Sequence, residues 1–320
     1  MKSSALDNLR RFSLLILSVV LCVVFGYLEP RFLSGDNAIN IFRQASIMGI
    51  LAIGLTFVVV SGEIDMSFGA NSSLAAVLSL IMLIAKVNVV LIWVVILALS
   101  LLIGYVNSLV VLRLRVPALL GTIGTWLTIG GIVAWMAKGA TVWTSKYPPI
   151  FEVLGRGRVF GFIPVPVVTL IVVAIIGVLF LEHTVLGRYF YAVGGNANAA
   201  THAGISTRRV KTTAFLLMGF LAGIAGLTMS SMFSSATPTV GQQFFFTAII
   251  AVYLGSIFLK DGVPNLWGTV VASLFLAIVS NGFNMIGLMY WHEQTAQGIL
   301  MIIAISMITF VSKKNMNIKV

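Results

Sequence analysis

About ten apolar runs of 16 to 24 residues follow one another along this chain of 320 residues. Nothing in the sequence restricts the fold more. A hydrocarbon layer offers no water to backbone N–H and C=O groups, so a segment that crosses it must satisfy them within its own helix or within a closed barrel. Runs of this length fit helices, which need roughly 20 residues to cross, and not the shorter strands of a barrel. The runs are Phe12–Leu28, Ala38–Ser61, Phe68–Ala85, Val89–Leu112, Pro117–Ala137, Phe162–Leu181, Thr212–Phe233, Phe244–Leu259, Val263–Phe283 and Thr295–Val311. Charged residues make up only 9% of the chain, against about 25% in soluble domains, too few to cover a water-facing surface. The sequence therefore predicts an all-α, polytopic membrane bundle of about ten transmembrane helices, with residues 1–320 forming one domain. The pairs of runs flanking Glu63 and Asp261 fit re-entrant segments as well as full spans.

The formal net charge of +11 is explained by the tendency of Lys and Arg to gather in the loops on the cytoplasmic side, and does not call for a nucleic-acid partner. One face of the bundle receives Lys2, Arg10, Arg11, Arg113, Arg115, Arg188, Arg208, Arg209, Lys211, Lys313, Lys314 and Lys319. The other receives Arg31, Lys86, Lys138, Lys146, Arg156 and Arg158. The richer face is read as cytoplasmic, and an even number of spans then places both termini there. Cys22 is the single cysteine and lies in the first run, so neither a disulfide nor a thiolate metal site is available. The basic N-terminus followed by Phe12–Tyr27 resembles a signal sequence. No small-residue cleavage site follows, and Leu21 before Cys22 does not suit a lipoprotein signal, so an uncleaved first helix is expected.

Between the sixth and seventh runs lies a polar island, 186–211, reading LGRYFYAVGGNANAATHAGISTRRVK. It is too long and too rich in Gly, Ala and Asn to be a simple turn. A short cytoplasmic helix is predicted there, with Gly194 and Gly195 permitting a sharp entry and Gly204 an exit. The small side chains of Ala197, Asn198, Ala199, Ala200 and Ala203 would let that helix sit closely in a groove on a partner. The longest outer segment, Lys138–Gly161, carries Trp143, Tyr147, Pro148 and Pro149; it reads equally as a surface for an external partner and as an ordinary connection with interfacial aromatics. GEIDMSFG at Gly62–Gly69 and LKDGVPNLWG at Leu259–Gly268 each follow an apolar run with an acidic, Gly-containing break. Internal duplication and coincidence both produce that pattern.

Several chemistries are excluded. The phosphate loop G-x-x-x-x-G-K-[ST] is missing, and Gly-Lys occurs nowhere, so ATP is not cradled in the usual way. The nine acidic residues all sit at the ends of runs or between them, whereas ion-coupled carriers keep ionisable groups deep in their spans. His183, His202 and His292 are scattered and form no i, i+4 metal pair. Polar residues in or near the runs are candidates for a solute pathway, because they are costly in lipid: Asp65, Ser67, Asn71, Ser72 and Ser73 in one segment, with Asn107, Thr122, Thr125, Asn281 and Asn284 elsewhere. The bland alternative is that Ser and Thr bond their own helix and Asn bridges neighbours. Asp65 and Glu63 also suit a cap on the helix starting near Ser67. Trp126, Trp135, Trp143 and Trp267 are expected mainly in the interfacial belts, Trp126 being the best candidate to face inward.

The island resembles the cytoplasmic coupling segment of bacterial ABC importer permeases of the ribose, xylose and arabinose type, which has a phrase close to G-R-x-x-Y-A-x-G-G-N-x-x-A-A-x-x-x-G-I-x-x-x-x-x-K. Gly187, Arg188, Tyr191, Ala192, Gly194, Gly195, Asn196, Ala199, Ala200, Gly204, Ile205 and Lys211 match it. VVVSGEIDMSFGANSSLAA is similar to the family's T-G-G-I-D-L-S-V-G through Gly62, Ile64, Asp65, Ser67 and Gly69, with Glu63 in place of the usual Gly. GYVNSLVVLRLRVPALLGTIGT resembles a third block through Gly104, Asn107, Pro117, Thr122, Gly124 and Thr125, with Ser108 in place of Gly. The resemblance runs from about Asn37 to the C-terminal end, and the three blocks occur in order.

The resemblance implies a multi-pass permease of the bacterial inner membrane that is not itself an enzyme and binds no cofactor. ATP and Mg enter through a partner, a cytoplasmic ABC ATPase. An extracytoplasmic solute-binding protein and a second permease, identical or a sister chain, complete the assembly. Gly194, Gly195, Asn196, Ala199, Ala200, Gly204 and Ile205 are the expected coupling residues. Asp65, Ser67, Asn71, Asn107, Thr125, Asn281 and Asn284 are the expected pathway residues for a monosaccharide or similar small polar solute. The alternatives are a sugar-derived signal molecule or nucleoside as cargo, or a facilitator or ion-coupled carrier working alone.

Overall fold

Helix ends leave backbone groups without intrahelical partners, so a helix starts most readily where a side chain can accept from its first free N–H groups. This chain supplies such caps repeatedly. Asn88 Oδ1 accepts from Val90 N at 2.9 Å, Thr184 Oγ1 from Gly187 N at 3.0 Å and Asn265 Oδ1 from Gly268 N at 2.8 Å. The computed structural model describes residues 5–259 and 262–317, with side chains at 12, 14–257 and 262–306. Lys260 and Asp261, on which one re-entrant pair was centred, lie outside the described residues, as do Lys2, Lys319 and the side chains of Arg10, Arg11, Lys313 and Lys314.

In order, the helices are α1 (Ala5–Leu28), α2 (Gly35–Val60), α3 (Phe68–Ile84), α4 (Val89–Leu112), α5 (Ala118–Met136), α6 (Pro149–Arg156), α7 (Val165–His183), α8 (Val185–Gly195), α9 (Ala197–His202), α10 (Thr207–Phe233), α11 (Phe245–Leu259), α12 (Leu266–Met285) and α13 (Tyr290–Asn317). The strands are two residues long: β1 (Val142–Trp143) pairs antiparallel with β4 (Ser235–Ala236), and β2 (Arg158–Val159) with β3 (Ile163–Pro164). Every apolar run of the sequence becomes a helix, its ends shifted by up to seven residues, the largest shift being the start of α1 at Ala5 instead of Phe12. Among the described residues, α2, α4, α5, α7, α10 and α12 are long and apolar enough to cross a membrane. Shorter apolar helices occupy Leu14–Leu28, Phe68–Ile84 and Gln242–Ile257. The architecture is that of an all-α, multi-pass membrane bundle.

By internal contacts the chain divides into two units, Met1–Ala52 with Phe246–Val320, and Ile53–Phe245. In the second unit α10 packs along α3 and α4, and small residues allow the backbones to approach, as helix pairs in membranes commonly do. A Cβ at Gly219 would collide with the Ser100 carbonyl, one at Gly104 with the Phe215 carbonyl, and one at Gly226 with Ala75 and the Ser72 carbonyl. Ser79 Oγ donates to Ser230 Oγ at 2.8 Å, fixing the register of α3 against α10. In the first unit, Phe25, Phe32, Ile41, Ala45, Ala277 and Ile278 form a buried cluster. There the Phe25 ring lies against Gly282, and Asn37 Nδ2 donates to Asn281 Oδ1 at 2.9 Å.

The long segment 138–161 holds structure that hydropathy did not signal. Pro148 and Pro149 open α6, which lies on the C-terminal end of α10. Ser231 Oγ donates to Phe151 O at 2.6 Å and accepts from Gly155 N at 2.8 Å. Tyr147 donates its hydroxyl to Ser234 O at 2.7 Å, and Arg156 Nε donates to Met232 O at 3.1 Å.

Candidate functional site

The polar island forms two helices and the beginning of a third, where the sequence reading expected one. Thr184 caps α8, whose inward face buries Phe190 and Val193. Phe57, Phe180 and Phe190 meet edge to face, with centroids 5.6 to 6.2 Å apart. Their cluster fixes α8 to α2 and α7. Burial first, and the charge of Glu182 second, push the Tyr191 phenol up to about 12.

Gly194 and Gly195 do not make the sharp entry expected of them. Both complete α8, and the direction changes at Asn196, in extended conformation (φ −158°, ψ 99°), whose Oδ1 caps α9 by accepting from Ala199 N at 2.9 Å. Gly194 is needed for a different reason. A Cβ there would collide with the Val60 carbonyl oxygen, and its Cα lies 3.2 Å from where a Cβ on Gly62 would stand. A Cβ on Gly195 would meet nothing within 4 Å. Gly204 does form the exit, at φ +81°, and Ile205 N donates to Ala200 O at 2.9 Å to close α9. In α9, Ala200 is buried within its own chain. Asn198, Ala199, Thr201 and His202, with Ala203 just beyond, are exposed. Lys211 Nζ lies 2.5 Å from Glu63 Oε1, both side chains being largely buried. Glu63 is thus the ion-pair partner of the start of α10 and not a cap on α3.

Beyond Gly62, which turns at φ +84°, the chain enters a buried polar knot. Asp65 Oδ1 accepts from Ser67 N and Ser67 Oγ, both at 2.7 Å, and Asp65 Oδ2 accepts from Asn107 Nδ2 at 3.3 Å. Asn107 Nδ2 also donates to Ser67 Oγ at 2.7 Å. Met66 N donates to Thr122 Oγ1 at 3.0 Å. Asp65 therefore closes the turn that ends at Ser67, immediately before α3, and ties it to α4, while Met66 ties the same turn to α5. Of the expected pathway residues, the structure gathers Asp65, Ser67 and Asn107, with Thr122. Asn71 is buried beside α4, its Nδ2 donating to Ser100 O at 3.3 Å. Asn71 Oδ1 and Asn107 Oδ1 are buried and have no hydrogen-bond partner among the described residues. Thr125 donates to its own helix, to Gly121 O, and Asn284, which is exposed, to Ser280 O. Asn281 bridges to Asn37.

Trp126 stacks on Phe245 with centroids 5.4 Å apart, and Phe245 on Phe68 at 5.3 Å. Trp126 thus faces a neighbouring ring, while Trp135, Trp143 and Trp267 are exposed as belt residues would be. The sequence reading passes over Arg43, a half-buried cation in α2, although a charge within an apolar run is signal enough. It also does not pair Glu63 with Lys211, which are 148 residues apart.

Two short helices held on the ends of long apolar ones, beside a buried polar knot, belong to a multi-pass membrane protein of the kind that forms the transmembrane component of transport systems. The family of branched-chain amino acid transport system permease components matches residues 37–305, and the chain belongs to it. The chain is 31% identical to the ribose import permease protein of Haemophilus influenzae over 90% of this chain and 89% of that one. It is 32% identical to the ribose import permease protein of Escherichia coli over 91% of each. It is 29% identical to the xylose transport system permease protein of Haemophilus influenzae over 96% of this chain and 98% of the relative. These relatives bear out the resemblance to simple-sugar ABC permeases. No solved structure matches the chain.

Proposed function

We propose that this chain is the membrane-spanning permease subunit of an ATP-driven importer for a monosaccharide or similar small polar solute in the bacterial inner membrane. The observation that carries the reading is α9, six residues with one alanine turned into its own chain and Asn198, Ala199 and His202 turned out. The segment is fixed behind by Gly194 on Val60 and ahead by Lys211 on Glu63. A cytoplasmic ATPase that seats α9 in a groove can move those contacts, and through them the knot around Asp65. ATP hydrolysis then belongs to that partner, which also holds the ATP and Mg, while a solute-binding protein outside delivers the sugar. A second permease, identical or not, completes the path.

In this reading the bundle has about ten spans, the six long helices being joined by α1, α3, α11 and α13, and both termini are cytoplasmic. Residues 1–320 act as one permease domain, and 186–211 is its coupling segment. Asn71 and Asn107 are the strongest candidates to meet solute, because each retains a buried oxygen without a partner among the described residues. Asp65 and Ser67 hold the knot together. One observation favours a second cargo: the autoinducer 2 import system permease protein of Escherichia coli is 30% identical over 93% of this chain.

The test is co-purification from detergent of the native chain and of Ala199→Trp, followed by mass spectrometry. An ABC ATPase recovered with the native chain and lost from a monodisperse Ala199→Trp supports the reading. A native chain that purifies without any ATPase points instead to a carrier working alone.

A further inference from the structure

The start of α10 and the end of α4 enclose a cleft of about 550 Å³. Its walls carry Arg208 and Arg209 with the hydroxyls of Tyr105, Ser108, Thr212 and Thr213, and no carboxylate. Both arginines are exposed and make no ion pair among the described residues. Guanidinium groups match phosphate oxygens in a two-pronged geometry that ammonium groups lack. The hydroxyls of Tyr105 and Thr212 can complete the set as donors, whereas those of Ser108 and Thr213 already donate to Tyr105 O and Arg209 O.

The cleft also has an apolar side. Thr212 and Thr213 lie five and six residues into α10, roughly 8–9 Å along its axis from the first turn, so the floor is within the spanning part of the helix. Leu102, Tyr105 and Val106 of α4, exposed at 54%, 45% and 40%, lie on one side of the helix beside the cleft, with Leu102 one turn beyond it. A cationic mouth, a hydroxylated floor and an apolar strip together complement an amphiphile with a phosphate head.

We infer that this cleft holds the phosphate headgroup of an anionic phospholipid, with an acyl chain along Leu102 and Val106. The inference rests on the transport reading for its orientation, since anionic lipid is abundant on the cytoplasmic face, where basic pockets between helices recruit it. Arg208 follows Gly204 by four residues, so the lipid would bear on the first turn of α10, at the end of the coupling segment.

The experiment is native mass spectrometry of the full-length permease with phosphatidylglycerol, phosphatidylcholine or inorganic phosphate, alongside the double variant R208Q/R209Q and, as a control at the opposite end of the bundle, R158Q. The expected result is a phosphatidylglycerol adduct at least ten-fold preferred over phosphatidylcholine, weakened about ten-fold in R208Q/R209Q and unchanged in R158Q. Equal adducts with the two lipids overturn the inference without need of any variant. So does a site that inorganic phosphate fills as well as phosphatidylglycerol, which would mark it as one for a free anion. Loss of ATPase recovery in R208Q/R209Q with the lipid adduct intact would assign the arginines to the protein partner. Adducts are scored on permease freed of ATPase, so failure of the transport reading leaves this result separately legible.

Discussion

Gly194 and the pair Glu63–Lys211 act at single atoms. Gly194 has no room for a Cβ against Val60, and forcing one into a packed joint costs about 1–3 kcal/mol. Gly194→Val is therefore expected to lower the thermal midpoint and to reduce solute uptake, whereas Gly195→Val, with open space around it, should leave the midpoint unchanged; a thermal scan of both variants in detergent checks this. Removing one partner of a largely buried ion pair leaves the other charge uncompensated, at about 3 kcal/mol. Glu63→Lys and Lys211→Glu should each destabilise the chain. The exchange of both should recover most of the loss, which a double-mutant cycle of thermal midpoints measures. The sequence pointed to Gly194 and Lys211, but assigned Gly194 to a turn. Spacing along the chain carries no information about a carbonyl 134 positions away, and only the tertiary approach shows why a side chain is forbidden there.

At the scale of the element, legibility follows hydropathy. The apolar runs were read nearly to their ends because span length and backbone satisfaction leave a chain in lipid few choices. The polar segments obey local chemistry instead. Asn196 gave α9 a cap that split the island into separate helices, and Pro148 and Pro149 started α6 in a stretch read as loop. α6 depends on α10 for its place. Ser231→Ala removes the hydroxyl that accepts from Gly155 N and donates to Phe151 O, two hydrogen bonds of about 1 kcal/mol each. The segment 148–156 is expected to exchange its amide hydrogens faster in this variant while α3 and α4 keep their protection. Equal protection in variant and native chain would show that α6 is held by other contacts. Of the expected pathway residues, Asp65, Ser67 and Asn107 could be gathered from the sequence as polar groups in apolar surroundings. That Asn284 lies exposed could not, since helical phase beside a short loop is poorly fixed by composition alone.

For the whole molecule, the division of Lys and Arg between loops sets the expected orientation. With Cys22 replaced by Ser, cysteines placed at Asn198 and at Arg158 should label from opposite sides of sealed vesicles, Asn198 only after the interior is opened in right-side-out preparations. Labelling of both from one side would remove the odd number of crossings between them and with it the ten-span topology. The contact of Gly194 with Val60 bears on how such a molecule transmits movement. Backbone meets backbone there with no side chain between, so there are no rotamers to absorb a displacement. Under the proposed function, a displacement of α8 would pass to α2 through this joint as through a rigid pushrod and not a sprung one.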